Sequence, residues 1–544
     1  MDAPKMENGG DRVLNSQKVL IRLPNWIGDA ILSIPALTAV RSLFKNSEIT
    51  FIGKGPILEL LQENRLSDHS IVLNGSHRGI FQKWSLVRKL RKEKFDLAIL
   101  FQNAFEAALL SFLSFIPNRY GYNTDGRGFL LTHRIPKPSK KEKIHQLEYY
   151  LHLVASLEGI DLKQSKPAIQ VTQDKKREAR KRLEREGIAP GEMIIGLNPG
   201  AAYGNAKRWP PERFAQLGDR LSRAHKVKIM IFGGASEKNL MDHIESLMVE
   251  KPLNVAGKTT VRELIALISE CALFITNDSG PMHIASALNV PVISIFGPTD
   301  SEATSPAGNH SIIVRKGVEC SPCLLRECPI DHRCMTGVSV EDVFIEAQDQ
   351  LFLQNDSGSP AIFLDRDGTI NQDTHYVSSE EEFLIFTETP EAIALFNQME
   401  FPVFIISNQS GVERGYFSSG LPELLHEKLE GHLKKFQAKV SGFYYCPHRP
   451  ETGCGCRKPK TGLLRKVMEK YPVNLKKSYV IGDQISDLEL AHRVGAKGVL
   501  VLTGKGKETL LKLKDRPGIA PAYVAAHILD AARWIKQENE ENNR

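Results

Sequence analysis

The sequence predicts an α/β protein with three parallel-sheet units, and three observations carry that prediction. Between residues 18 and 157, short apolar runs alternate with helix-period segments. The same alternation restarts at Met193. A third series opens at Ala361, where Ile362-Phe363-Leu364 run straight into Asp365-Arg366-Asp367-Gly368-Thr369. Strands interleaved with helices build parallel sheets, the helices serving as the connections. At 544 residues the chain is also too long for one core, since domains run to about 100–200 residues.

The elements follow in order. Residues 18–23 (KVLIRL) read as the first strand and 28–44 as the helix after it, with strands over 49–52 and 97–101. The apolar stretch 107–116 is only about half a membrane span, so it reads as a core helix. A basic loop over 136–143 precedes a helix over 144–157. In the second series, strands are expected over 193–197, 228–232, 273–276 and 291–296, with helices over 211–224, 260–270 and 281–288. In the third, strands are expected over 361–364, 402–406 and 478–481. The charged run 174–186 reads as a solvated helix face. The predicted organisation is a disordered lead-in (1–17), two similar α/β halves (18–165 and 190–353), a linker (354–360), a third domain (361–536) and a disordered acidic tail (537–544).

Composition narrows the class. With 42% hydrophobic and 25% charged residues, a large core is accessible. A net charge of +7 over this length is too mild for a nucleic-acid binder, and suits anionic substrates or an anionic membrane surface. No secretory leader or membrane span is visible, so a cytoplasmic protein is expected. The eight cysteines fall as isolated Cys271 and two clusters, which in a reducing compartment favour metal over disulfides.

Chemistry is densest in the third domain. Asp365 and Asp367, one residue apart at a strand tip, can both face one pocket if the chain turns at Gly368. Such a pair suits a nucleophile with an acid/base partner and attracts Mg²⁺. Residues 402–406 end in Ser407-Asn408-Gln409, small donors able to hold phosphate oxygens. Residues 478–481 end in Gly482-Asp483, with Asp487 four residues on. Arg457 and Lys458 supply cations against phosphate charge. Cys446, His448, Cys454 and Cys456 have the spacing of a closed, structural tetrahedral zinc site just ahead of those cations.

This series resembles the haloacid dehalogenase superfamily of phosphatases. The resemblance implies that Asp365 attacks phosphorus to form an aspartyl-phosphate, while Asp367 protonates the leaving oxygen and later activates water. It further implies that Asp365, Asp483 and the backbone carbonyl of Asp367 bind Mg²⁺, with Ser407, Asn408, Arg457 and Lys458 around the phosphoryl group. Residues 408–417 and 444–448 are similar to the D-glycero-D-manno-heptose 1,7-bisphosphate 7-phosphatases. Histidinol-phosphate phosphatases share the zinc loop, so histidinol phosphate or another sugar phosphate stands as the alternative substrate.

The first two halves carry strand-to-helix loops suited to anions. Asp29, in Pro24-Asn25-Trp26-Ile27-Gly28-Asp29, serves on the residues alone equally as a helix cap or as a general base at a cleft. Residues 197–201 and 206–210 combine small residues with Lys207 and Arg208, which suits a diphosphate. Asp278, Ser279, Gly280 and His283 join another strand to its helix, where backbone amides cradle anions; His283 reads as ligand or core histidine. Glu237 and Lys238 are further candidates on the nucleotide side. Cys320, Cys323, Cys328 and Cys334, with His332 as an alternative ligand, read either as a metal site or as a reduced loop.

Residues 18–353 resemble the lipopolysaccharide heptosyltransferases of type II, which implies a GT-B fold of two Rossmann-like domains. The resemblance implies transfer of heptose from ADP-heptose to a lipid A–Kdo acceptor at the cytoplasmic face of the inner membrane, where the protein would be peripheral. Asp29 would deprotonate the acceptor; Lys207, Asp278, Ser279, Gly280 and His283 would hold the donor. The expected whole is a bifunctional enzyme with sugar-phosphate and nucleotide-sugar substrates. The alternative keeps the N-terminal part as a non-catalytic binding or membrane-docking module.

Overall fold

The computed structural model describes residues 16–73, 79–139, 144–158, 165–308, 310–353, 358–374, 376–516 and 518–542. It forms two compact units, Met1–Ala347 and Gln348–Arg544. The lead-in over 1–15 and linker residues 354–357 lie outside the described residues.

The first unit holds two sheets. Strands β1 (Lys18–Arg22), β2 (Glu48–Gly53), β3 (His69–Val72), β4 (Leu97–Leu100), β5 (Asn118–Tyr122) and β6 (His133–Ile135) pair in parallel in the order β3-β2-β1-β4-β5-β6. Strands β7 (Ile194–Asn198), β8 (Lys228–Ile231), β9 (Leu253–Asn254), β10 (Leu273–Asn277), β11 (Val292–Ile295) and β12 (Ser311–Val314) pair in the order β12-β11-β10-β7-β8-β9. The second unit's sheet comprises β13 (Ile362–Leu364), β14 (Val403–Asn408), β15 (Gly442–Cys446), β16 (Tyr479–Gly482), β17 (Lys497–Val501) and β18 (Tyr523–Ala525), in the order β15-β14-β13-β16-β17-β18.

All three sheets therefore share one plan. In each, the first strand lies beside the fourth, and the order of connection reverses there. Ligands bind in parallel α/β sheets outside the carboxyl ends of the strands at that switch point. Five of the loops singled out in the sequence begin at the tip of a strand flanking that point: Asp29 after β1, the loop from Asn198 at the end of β7, Asp278 after β10, Asp365 after β13 and Asp483 after β16; Ser407–Gln409 ends the next strand, β14. The central strands are buried on both faces, which is why they are written as continuous apolar runs.

Helices used below are α1 (Ile27–Leu32), α2 (Ile34–Leu43), α3 (Ile80–Glu93), α4 (Phe105–Leu113), α5 (Gln146–Glu158), α6 (Gly280–Ala287), α7 (Val340–Phe352), α8 (Ile485–Val494) and α9 (Ile528–Asn542). Three expectations are corrected. The helix over 28–44 is two helices broken at Ser33, because Pro35 opens α2 and cannot donate to the preceding turn. The stretch 107–116 is not a core helix: α4 buries Ala107, Ala108 and Ser111, while Phe112 and Phe115 face solvent. The tail from Gln537 is helical to Asn542, held where Glu538 accepts from the Tyr479 hydroxyl at 2.7 Å. Among the described residues, no helix is long and apolar enough to cross a membrane.

Candidate active sites

In the second unit, the tips of β13, β14 and β16 converge. Asp365 continues β13, its N–H donating to the carbonyl of Ile481 at 2.9 Å. Gly368, at φ +85°, then turns the chain; a Cβ there would lie 2.3 Å from Asp483 Oδ2. Lys458 Nζ donates to Asp365 Oδ1 at 2.7 Å and lies 2.7 Å from Asp487 Oδ1. Carboxylate oxygens of Asp365, Asp483 and Asp487 lie within 4.8 Å of one another, all three residues buried. Burial pushes Asp365 up to about 7, with Lys458 opposing and Asp487 adding to the rise. Burial, then Asp365 and Asp487, push Asp483 up to about 8. Burial opposes the charge on Lys458, but the two carboxylates outweigh it and hold the ammonium protonated.

Asp367 stands apart from that cluster. Arg366, itself buried, grips both of its oxygens at 3.0 and 2.8 Å, and Asn371 and Gln409 donate to it at 3.0 and 2.9 Å. Burial works against its charge, yet these donors outweigh burial and hold Asp367 below the ordinary carboxylate range. The third carboxylate of the cluster is thus Asp487, in the first turn of α8, and not the Asp367 side chain. Ser407 Oγ, buried at the end of β14, accepts from Gln409 at 2.6 Å. Asn408 is turned away from the carboxylates and clamps the backbone of Lys458, accepting from its N–H at 3.0 Å and donating to its carbonyl at 3.2 Å. Arg457 donates to the carbonyl of His448 at 3.2 Å.

The donor atoms fit the metals the sequence implies. Asp483 Oδ1 is buried without a hydrogen-bond partner, in a cluster of three carboxylates balanced by one lysine. That imbalance suits a hard divalent cation with oxygen ligands. Cys446, His448, Cys454 and Cys456 bring one donor atom each within 4.8 Å of the others. Sulfur–sulfur separations are 3.2–3.5 Å, and His448 Nδ1 lies 3.3 Å from Cys456 Sγ. A tetrahedral ion with bonds of about 2.3 Å spans such edges. The hydrogen bond with Cys446, followed by those with His448 and Cys454, brings Cys456 down to about 5 against the opposing effect of burial. By contrast, Cys320, Cys323, Cys328 and Cys334 form no such group among the described residues, and His332 Nε2 contacts the carbonyl oxygen of Ala206 at 2.6 Å.

In the first unit, the loop after β1 meets the loop after β10. Arg22 pins the first by donating to Asn25 Oδ1 at 3.2 Å. Asp29, in the first turn of α1, accepts from the hydroxyl of Tyr150 in α5. Burial raises the Asp29 carboxyl, while the Tyr150 hydrogen bond and the charge of Lys207 partly offset it. His283, one turn into α6, packs its ring against the backbone of α1, so that a Cβ on Gly28 would lie 2.8 Å from it. Burial depresses His283 to about 4, so its ring is neutral. Lys207 Nζ bonds Asp278 Oδ2 at 2.5 Å, and Thr299 Oγ1 donates to the same oxygen at 2.6 Å. Asn198 ties Thr276 to Ser279, donating to each hydroxyl at 3.1 Å. Gly280 opens α6 directly after Ser279. Glu237 lies under the Gly200 backbone and 3.6 Å from Arg208, whereas Lys238 pairs along its own helix with Asp242.

Several of these partners escaped sequence reasoning. Tyr150 has no local signal, lying far from Asp29 in an ordinary aromatic helix. Gln409 stands within a quoted motif and Asn371 two residues past another, but both gain meaning only from Asp367, and Thr299 only from Asp278.

Comparison with known proteins agrees with this geometry. Residues 83–333 match glycosyltransferase family 9 (heptosyltransferase), and residues 455–531 match a HAD-hydrolase-like family. The chain is 31% identical over 336 residues to lipooligosaccharide heptosyltransferase 2 of Campylobacter jejuni, covering 98% of that protein and 60% of this one. It is 41% identical over 152 residues to D-glycero-beta-D-manno-heptose-1,7-bisphosphate 7-phosphatase of Pseudomonas putida, covering 87% of that protein and 28% of this one. The structure of ADP-heptose LPS heptosyltransferase II from E. coli aligns with a TM-score of 0.54 at 24% identity, over 62% of this chain and 99% of that one, which supports the GT-B fold. The chain is thus an enzyme with a glycosyltransferase part and a phosphatase part, belonging through its first unit to the heptosyltransferases of glycosyltransferase family 9 and through its second to the HAD-type heptose-bisphosphate 7-phosphatases.

Proposed function

We propose that the two units serve one sugar. The second removes the 7-phosphate of D-glycero-β-D-manno-heptose 1,7-bisphosphate, and the first transfers heptose from ADP-heptose to a lipid A–Kdo core. The observation that best supports the phosphatase reading is the buried Asp365–Lys458 contact at 2.7 Å beside Asp483 and Asp487. An oxygen of Asp365 attacks phosphorus as the bond to the sugar's O7 breaks, and Asp367 delivers a proton to that departing oxygen. Asp367 then takes a proton from water, whose oxygen attacks phosphorus and frees phosphate and Asp365. The resting charge held on Asp367 by Arg366 suits the second step; the first requires a proton arriving with the substrate. Lys458 and the Ser407 hydroxyl offset charge on the transferring group. Mg²⁺, when bound by Asp365, Asp483 and Asp487 with the Asp367 carbonyl, would neutralise phosphoryl charge. Zinc held by Cys446, His448, Cys454 and Cys456 would be structural, fixing the segment that carries Arg457 and Lys458.

In the first unit, Asp29 deprotonates the acceptor hydroxyl, which displaces ADP from the anomeric carbon with inversion. Its carboxyl, raised by burial and aimed by Tyr150, supports the role of base. Lys207 faces the diphosphate, and Asp278, Ser279, Gly280 and His283 line the donor side. The direct test is phosphate release from the heptose bisphosphate with Mg²⁺: wild type hydrolyses it and Asp365→Asn does not. Preferred hydrolysis of histidinol phosphate would overturn the substrate assignment. Transfer from ADP-heptose that survives Asp29→Ala unchanged would remove Asp29 as base.

A further inference from the structure

Helices α3 and α4 cover only one face of the first sheet, and their outward side is unusually apolar. They pack inward through Leu86, Leu90 and Ala108 onto Leu20, Ala98 and Leu100. Outward stand Phe81 at 91% exposed, Trp84, Phe105, Phe112 and Phe115, with Phe129 from the loop after β5. Every exposed phenylalanine among the described residues, except Phe436, lies here. The concentration is not a scatter of surface hydrophobes, which alone would need no account.

The aromatics form one continuous face because the two helices are tied at both ends. Lys83 pairs with Glu106 at 2.9 Å at one end, and Arg91 donates to the Leu113 carbonyl at 2.8 Å at the other. Phe105 and Phe129 lie 6.1 Å apart between ring centroids. Cations interleave with them: the Arg91 guanidinium lies 4.1 Å from the Phe115 ring centroid, and that of Arg119 lies 5.4 Å from Phe112. On α3, at 100° per residue, Phe81, Trp84, Arg88, Arg91 and Lys92 fall on the side opposite Leu86, Val87 and Leu90. Residues 83–94 carry six basic side chains against Glu93 alone.

One end of the face lies at the same end of the sheet as the candidate base. Phe81 and Phe105 begin helices that follow β3 and β4, and Phe129 follows β5, all at the strand ends where Asp29 follows β1. Buried Arg127, two residues before Phe129, donates to Asn103 at 3.2 Å; Asn103 donates to Tyr149 at 2.8 Å, next to Tyr150, which bonds Asp29. A surface that interleaves Phe and Trp with Lys and Arg combines apolar burial in the interfacial layer with attraction to anionic headgroups. We propose that α3, α4 and the Phe129 loop are the face by which the first unit docks on an anionic bilayer, bringing Asp29 over the lipid surface. This deepens the reading of that unit as a transferase to a lipid-borne acceptor.

The test is co-sedimentation of the full chain with vesicles of phosphatidylglycerol and of phosphatidylcholine, with no acceptor present. The expected result is binding to phosphatidylglycerol vesicles that weakens with salt, and little binding to phosphatidylcholine. F81S/W84S and, separately, R88E/K92E should each weaken binding by about tenfold or more, with phosphate release by the second unit unchanged. Absent binding, equal binding to both lipids, or unchanged binding in both variants would overturn the proposal. So would self-association of the wild type that F81S/W84S abolishes, since a second copy would then be the occupant. Vesicle binding with no transfer from ADP-heptose would sink the transferase reading and leave this face standing.

Discussion

The ammonium of Lys458 lies 2.7 Å from Asp365 Oδ1, and both residues are buried. The pair joins two elements remote in sequence, the end of β13 and the loop after the cysteine cluster. Without Lys458, three buried carboxylates, Asp365, Asp483 and Asp487, would crowd within 4.8 Å of one another without the ammonium that now contacts Asp365 Oδ1. Lys458→Ala should lower the phosphatase turnover by about 10²–10³-fold, read by continuous phosphate release. A loss below about threefold would remove Lys458 from the transition state.

The cysteine cluster directly precedes this lysine in the chain, and Arg457 donates to the carbonyl of His448 within it. The purified full chain should carry one zinc per molecule at Cys446, His448, Cys454 and Cys456, and Cys454→Ser should lose it. Phosphatase activity should fall with zinc content, while transfer by the first unit should persist. Metal analysis alongside both assays checks this, and full activity in a zinc-free Cys454→Ser protein would show the loop to be dispensable.

Tyr150 offers a prediction in pH. Its hydroxyl stabilises the ionised form of Asp29, and therefore lowers a carboxyl that burial raises. Tyr150→Phe removes the lowering contribution, so the Asp29 carboxyl should titrate at higher pH. The acid limb of the transfer rate should then move upward in pH, with the plateau at high pH less affected. A limb that stays in place would separate Tyr150 from the base.

Gly28 is needed for close approach. A Cβ there would lie 2.8 Å from the ring of His283, which is buried. Gly28→Ala should destabilise the first unit by about 1–3 kcal/mol through overpacking, measured by urea unfolding, and should weaken donor binding in parallel. Gly126, where a Cβ would meet nothing within 4 Å, provides a control for the steric part, its positive φ aside.

The sequence shows its sheet centres more clearly than its edges. Strands such as β1, β10 and β14 are buried on both faces and so are written as apolar runs. The edge strands β3 (HSIV) and β6 (HRI) are short and half exposed, leaving no periodic signal. The apolar stretch over 107–116 misled for the opposite reason: its aromatics point outward, and hydrophobicity alone does not say which partner receives it. In the candidate sites, strand-tip carboxylates and the cysteine spacing are local patterns and legible. Gln409, Asn371 and Tyr150 matter through partners that only folding brings close. Asn408 shows a further limit, since a residue inside a phosphate-site motif turns out to hold the Lys458 backbone.

The helix α7, Val340–Phe352, has its own consequence for anyone dividing the chain. The two units part between Ala347 and Gln348, within this helix and ahead of the expected linker. Asp349, buried in the last turns, accepts from Thr461 and lies 3.2 Å from Arg493 and 3.7 Å from Arg465. A C-terminal fragment starting at Ala361 discards that carboxylate and strands a buried hydroxyl beside two guanidinium groups, at a cost of about 1–3 kcal/mol. One starting at Val340 keeps it and is expected to melt at the higher temperature. The better place to cut, ahead of Val340, lies seventeen residues before Ser357, the first Gly, Ser or Pro of the expected linker.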